Sequence, residues 1–457
     1  MGGVQRCALR APRWAPLSLI FPLRGIQQKS VPLLPIGNGM ENETSSVYGT
    51  LSSGVRLYCR RTERKIAHLA FLFDIGSRDE LAREHGMAHY IEHCLFKGTR
   101  SRRPYHILAR LEDVGGEINA FTTKENICLH GSFRPGYLGR AMELFADIAF
   151  ATTYPSREIE KEKDVVVDEI HSYLESPDEL IFEQVEELVF ARNPLGRTIL
   201  GTEETLRRFT REDILAFLRR CFSPQRMLIC FSGDVPPERV REEAEKYLAR
   251  YPQIFSRPIL ALGRKTPAEY HPLQQEKEMN IHQCHAILAA PSFSATHEKN
   301  AAMALLTNVL GGAPMSARLN LSLRERYALA YSVEAFYTAY SDTGISGVYF
   351  ATDEDTLERS LEITYRELRR LREDPLGTLQ LHKAKRQLCG QLAIASENEL
   401  SSLLSVGRSY LQTGRADTFE QTCARVEAVT ALQLQQLACE VFSPGRLTTL
   451  LFKRKKR

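Results

Sequence analysis

The sequence predicts a mixed fold of strands and helices in two domains of like size. From about Tyr48 to the end, strand-like runs alternate with amphipathic helical runs, and no strand-dense or helix-only block stands out. A similar order of runs recurs in the second half. At 457 residues, two domains are also the expectation from length.

In the first half, Ala67 to Asp74, Cys128 to Phe133 and Leu228 to Ser232 read as strands. Tyr105 to Val114, Tyr137 to Phe150 and Arg211 to Cys221 read as helices, the last opened by a capping box from Thr210 to Asp213. In the second half, His285 to Ala289 and Ile345 to Ala351 read as strands, Glu298 to Leu310 and Thr356 to Glu373 as helices, and two more helices follow. The stretch from Phe255 to Glu278, rich in Pro and polar residues with little periodicity, is the expected linker between residues 40–254 and 279–457.

The densest chemistry is His89-Tyr90-Ile91-Glu92-His93, the pattern H-x-x-E-H. A helix advances about 100° per residue, so side chains four apart stack on one face and both imidazoles can reach one metal ion. Glu92 lies at the edge of that face, near the metal without being forced to bind it, and is the candidate base for a water. Catalytic zinc typically takes three protein ligands and keeps one position open, so the pentad leaves one ligand to find. A lone helical His is usually structural. Two His and a Glu opening after Gly86 in an apolar helix (Met87, Ala88, Tyr90, Ile91, Leu95, Phe96) favour metal over packing.

Ser156 to Ser176 reads as one helix whose apolar face holds Ile159, Val165, Val166, Val167, Ile170 and Leu174. Ser156 and Glu158 give it a capped, acidic start, and Pro177 ends it. Glu162 and Glu169, seven apart, point the same way after two turns, whereas Glu158, Glu160 and Glu175 read as ordinary surface carboxylates. Asp168 is the rival third ligand, but it is shorter and turned about 100° from Glu169, so Glu169 is preferred on reach and direction.

On these residues the chain resembles the inverzincin zinc peptidases, the family of pitrilysin, insulin-degrading enzyme and the mitochondrial processing peptidase, and among them a short, two-domain bacterial-type member. The resemblance rests on His89-x-x-Glu92-His93 and on Glu162-Lys-Asp-Val-Val-Val-Asp-Glu169, and it covers nearly everything after the first forty residues. It implies one Zn2+ held by His89, His93 and Glu169, Glu92 as general base, and Glu162 as a carboxylate supporting the ligands from behind. It also implies an α+β fold of two homologous domains, each a mainly antiparallel sheet packed with helices, forming half of a clamshell chamber.

Two further stretches extend the likeness. Gly115 to Thr122 resembles the family's substrate-binding edge strand, where a peptide pairs along Asn119 and Ala120; taken alone, it is equally a hairpin turn and a strand. Leu323 to Val333 resembles the family's Arg and Tyr pair, here Arg324 and Tyr331, which reaches from the second domain to the substrate and the oxyanion. Taken alone, these are a solvated helix-end Arg and a strand Tyr. Ala328 stands where the family pattern has Gly.

The implied activity is that of a zinc metalloendopeptidase cleaving extended peptides or unfolded segments. A homodimer is expected, because the chain carries both the zinc motif and the Arg324 and Tyr331 motif. One alternative is the catalytic subunit of a heterodimeric presequence-processing peptidase with a motif-lacking homologue. Another is a non-catalytic scaffold subunit of the same fold, against which the intact constellation argues.

Residues 1–39 differ from the rest. Arg6, Arg10, Arg13, Arg24 and Lys29 meet no acidic residue there, and without them the formal charge of +4 becomes −1. The leader reads as a mitochondrial presequence, which would place the protein in the matrix, as a weak secretory signal, or as sequence ahead of a start at Met40. The last is preferred, with a cytoplasmic bacterial-type enzyme behind it, because Pro12, Pro16 and Pro22 repeatedly break the helix a presequence needs. No apolar run reaches the 18 or so residues of a membrane span. The ten Cys are scattered without C-x-x-C pairs, which suits a reducing compartment, and Cys94 is expected in the core. The basic tail from Lys453 to Arg457 lacks interleaved aromatics, so it reads as a frayed, solvated end and not as a nucleic-acid site.

Overall fold

The computed structural model describes residues 41–43, 46–255, 263–267 and 269–455. The leader lies outside them. The first sheet has seven strands: β1 Glu41–Glu43, β2 Ser46–Thr50, β3 Arg56–Arg61, β4 Ala67–Phe73, β5 Glu117–Thr122, β6 Ile127–Phe133 and β7 Met227–Gly233, in the order β1-β2-β3-β7-β4-β6-β5. The second has five: β8 Gln274–Met279, β9 Cys284–Ser292, β10 Ala330–Ala339, β11 Gly344–Thr352 and β12 Thr448–Arg454, in the order β10-β11-β9-β12-β8.

The two halves repeat one plan. Read from the other edge, the second sheet runs β8-β12-β9-β11-β10, which matches β3-β7-β4-β6-β5 strand for strand. Each sheet is antiparallel apart from one pair, β3 with β7 and β8 with β12. Five α-helices separate β6 from β7, and five separate β11 from β12. This is the expected α+β architecture of two homologous halves.

Apolar runs become central strands because both faces of each sheet are covered. Along β4, Leu69 and Phe71 enter the core of the first half, where Phe71 meets Phe145 edge-on at 5.3 Å, while Ala70 and Leu72 face the other way. That second face is covered by helix Glu399–Thr413 from the other half, through Leu403, Leu404 and Leu411. Reciprocally, helix Pro177–Val189 of the first half lays Ile181 and Val185 on Ile287, Leu450 and Phe452 of the second sheet. Each half therefore lends one helix to its neighbour. A buried ion cluster adds to this join: Arg78 Nη1 donates to Glu125 at 2.7 Å and Nη2 to Asp342 of the β10–β11 turn at 2.6 Å.

Four expectations are revised. The stretch from Phe255 to Glu278 is not all linker, since β8 falls in it and pairs with β12. Lys453 and Arg454 are part of β12, not a frayed tail, and Lys453 pairs with Glu276 at 2.7 Å. The helix after Thr153 runs Ser156–Leu174, with Pro155 at its N-cap and no side-chain cap from Ser156. Val165 on that helix is 51% exposed. Among the described residues, no helix is long and apolar enough to cross a membrane.

Candidate zinc site

Helix Met87–Cys94 starts at a turn that demands glycine. Gly86 has φ 95°, and a Cβ there would stand 2.7 Å from the Leu200 carbonyl oxygen and 2.9 Å from Gly201 Cα. Glu80 fixes the same helix end: its Oε2 accepts from the Gly86 N–H at 2.9 Å and its Oε1 from the Ala88 N–H at 2.8 Å. An acidic group here satisfies amides that the helix leaves open and complements its dipole. Burial nevertheless pushes the Glu80 carboxyl well above the usual range, against the pull of those two amides.

The helix buries Met87, Ala88, Tyr90, Ile91 and Cys94 and turns His89 and His93 toward helix Ser156–Leu174. The imidazole centroids are 4.6 Å apart. Glu169 Oε2 lies 3.2 Å from His93 Nε2 and 3.8 Å from His89 Nε2, and the three candidate ligand atoms all fall within 4.8 Å of one another. Two atoms each about 2.1 Å from a tetrahedral zinc are themselves about 3.4 Å apart, so the trio has the spacing and the N,N,O donors that zinc takes. Asp168, the rival ligand, is exposed.

Electrostatics prepare the donors differently. Burial, helped by His93, drives His89 down to about 3, so it is a neutral imidazole with a lone pair to offer. Its Nδ1 is buried and has no hydrogen-bond partner among the described residues. His93 is half-buried, and desolvation lowers its pKa, but hydrogen bonds to Glu162 and Glu169 outweigh that and raise it to about 9. Glu162 Oε1 is 3.0 Å from His93 Nδ1, leaving Nε2 to face Glu169, and Lys97 Nζ holds Glu162 Oε2 at 2.5 Å. Burial works to raise Glu162, yet His93 and Lys97 together leave it lowered. Glu92 is half-buried, and desolvation raises its carboxyl against the influence of His93 and a hydrogen bond with Thr122.

The other predicted residues fall at sheet edges. Asn119 and Ala120 lie in β5, which pairs with β6 alone and so closes the first sheet with an open backbone edge. The Ala120 N–H donates to Asn119 Oδ1 at 2.8 Å. Arg324 sits in a π-helical turn, Asn320–Arg326, with its guanidinium 5.2 Å over the ring of Tyr331. Tyr331 is 77% exposed and occupies the register shift between Ala330 and Ser332 of β10, a bulge that swings its side chain outward. Ala328 has φ 49°, the left-handed conformation that glycine adopts freely, so the turn keeps its shape despite the replacement.

Glu80 and Lys97 escaped sequence reasoning. Glu80 precedes its helix by a non-repetitive turn, where no periodicity signals a cap. Lys97 stands four residues after His93, a helical spacing, but the helix has ended at Cys94.

Comparison with known proteins bears on the family and the fold. Residues 57–203 match the family described as Insulinase (Peptidase family M16), and residues 208–388 match the Peptidase M16 inactive domain. An uncharacterised zinc protease of Bacillus subtilis is 29% identical over 404 residues, covering 88% of this chain and 97% of that protein. The mitochondrial-processing peptidase subunit beta of Saccharomyces cerevisiae is 26% identical over 375 residues, 80% of this chain and 81% of its own length. A protease from Helicobacter pylori of known structure superposes with a TM-score of 0.81 at 19% identity, covering 89% of this chain and 99% of that one. The chain thus belongs to peptidase family M16.

Proposed function

We propose that the chain is a zinc metalloendopeptidase acting on extended peptides or unfolded segments. The observation that carries this reading is the convergence of His89, His93 and Glu169 within 4.8 Å beside a half-buried Glu92. One zinc, held by those three residues, would supply an acidified water and polarise the scissile carbonyl. Glu92, its pKa raised by burial, takes the water's proton and delivers it to the leaving amine. Glu162 keeps His93 in the tautomer that presents Nε2.

The substrate pairs along β5, where an incoming carbonyl displaces Asn119 Oδ1 from the Ala120 N–H. Arg324 and Tyr331 suit the task of holding it from the second half, since their cation and phenol stand stacked and accessible. A second copy of the chain closes over the site to complete a chamber. Likeness to the yeast processing-peptidase subunit favours one other reading, in which the closing partner is a motif-lacking homologue.

Both readings are tested by digesting a mixture of unstructured peptides with the purified chain. Cleavage that a chelator stops and zinc restores is expected from the chain alone as a homodimer. Activity that appears only with an added homologue selects the heterodimer.

A further inference from the structure

A cation on the inner face of the first sheet has no counter-charge among the described residues. Arg408 belongs to helix Glu399–Thr413, which the second half lends to that sheet. The preceding Gly407 lies so close that a Cβ would stand 2.8 Å from Cys230 Sγ and 3.3 Å from Leu72 Cδ1. Tyr410 turns toward Tyr48 and Arg56 on β2 and β3. Gln412 turns the opposite way and donates to Glu125 in the β5–β6 loop at 3.2 Å.

Residues four apart share a helix face, so Arg408 points as Gln412 does, one turn back along β6 and β5. Its Nε is shut off from solvent without a hydrogen-bond partner, and no carboxylate pairs with it among the described residues. A half-buried guanidinium without an anion is poorly compensated, which makes this a place to receive one.

Pleat geometry says what can reach it. Leu72, Cys128 and Phe121 are cross-strand neighbours on β4, β6 and β5, so Arg408 shares a face with Phe121 and Asn119. A peptide added to the open edge of β5 lies two strand spacings, about 10 Å, from β6, and its residues opposite Phe121 and Asn119 turn to this same face. Two side chains, an arginine and a substrate acid, can close that gap between them. Glu117, the β5 carboxylate on this face, is four residues from Phe121, about 13 Å along the strand and too far to repel an acid opposite Phe121, but only about 7 Å from Asn119, so the Phe121 position is the better placed.

We propose that Arg408 receives a substrate carboxylate and gives the edge strand a preference: an Asp or Glu opposite Phe121 or Asn119, or a C-terminal carboxylate ending there. This rests on the peptidase reading above. The test uses the zinc-loaded full chain and internally quenched peptides that differ by one Glu→Gln change moved along the sequence, each with a free or an amidated C-terminus. Wild type should cut the best-placed Glu peptide about tenfold faster in kcat/KM than its Gln twin, the scale of one charge-assisted hydrogen bond. If amidation slows cleavage while Glu and Gln twins are cut alike, the carboxylate read is the C-terminal one; if the twins differ with either C-terminus, it is the side chain.

Arg408→Gln should bring the two rates together while leaving the Gln peptide unchanged, and Arg408→Lys should keep part of the difference. Equal wild-type rates within every Glu and Gln pair, together with equal rates for free and amidated C-termini, would overturn the proposal. So would an equal loss on both peptides in Arg408→Gln and Arg408→Lys, which marks a structural role. Cleavage of the Gln peptide that is absent in Glu92→Gln keeps the peptidase reading intact whichever way Arg408 falls. If wild type cuts no peptide at all, both readings fail together.

Discussion

His93 Nδ1 lies 3.0 Å from Glu162 Oε1, and Lys97 Nζ holds the other oxygen of that carboxylate at 2.5 Å. The ring is thereby oriented before any metal arrives. Glu162→Gln should keep the fold and weaken zinc binding by about 10–100-fold in a chelator competition, the range for removing such a supporting group. Unchanged affinity would mean that the ring is held by packing alone.

The entrance to the zinc helix makes a second prediction. Gly86→Ala places a Cβ 2.7 Å from the Leu200 carbonyl at a φ of 95°. Clash and backbone strain together should lower stability by about 2–4 kcal/mol, read from the urea midpoint, and weaken zinc binding with it. Glu80→Ala removes the two-amide cap and should destabilise by about 1–3 kcal/mol without a clash.

At Ala328 the expectation has the opposite sign. Its φ of 49° is strained for a side chain with a Cβ. Ala328→Gly relieves about 1–2 kcal/mol of strain but frees the unfolded chain by about 0.5–1 kcal/mol, so a net gain of up to about 1.5 kcal/mol is expected in urea unfolding. A loss would indicate that the methyl packs usefully.

His130 gives a pH prediction free of the metal. Burial, with a smaller push from His68 and an opposing pull from Glu117, lowers it to about 4. Its unfolded pKa is about 6.5, so below that the unfolded chain binds a proton that the folded chain refuses. The associated stability is present above pH 6.5 and is lost as pH falls toward 4. Relative to His130→Gln, wild type should lose on the order of 1–3 kcal/mol across that window and nothing above it. Parallel pH curves for the two proteins would contradict this.

Much of this arrangement is legible in the sequence, wherever the signal is local. Thr210 and Asp213 announced helix Arg211–Cys221, and its observed ends agree. The alternation of runs gave the repeated halves because each run folds largely within its own half. Other features depend on distant partners. β8, Gln-Gln-Glu-Lys-Glu-Met, is an edge strand half-exposed on one face and exposed on the other, so it carries no apolar alternation. Helices Pro177–Val189 and Glu399–Thr413 declare an apolar face but not that it lies on the other half's sheet. Pro177 does mark a boundary, yet it opens that helix as well as following the previous one, since proline fits the first helical turn.

The most direct test of the account compares wild type with Glu92→Gln on one unstructured peptide, with zinc measured in the same samples. Equal zinc content, one ion per chain, and a fall in kcat of at least about 10²–10⁴-fold are predicted for removal of a general base. Cleavage by Glu92→Gln at the wild-type rate, or a wild-type chain that holds no zinc after metal is resupplied, would contradict it.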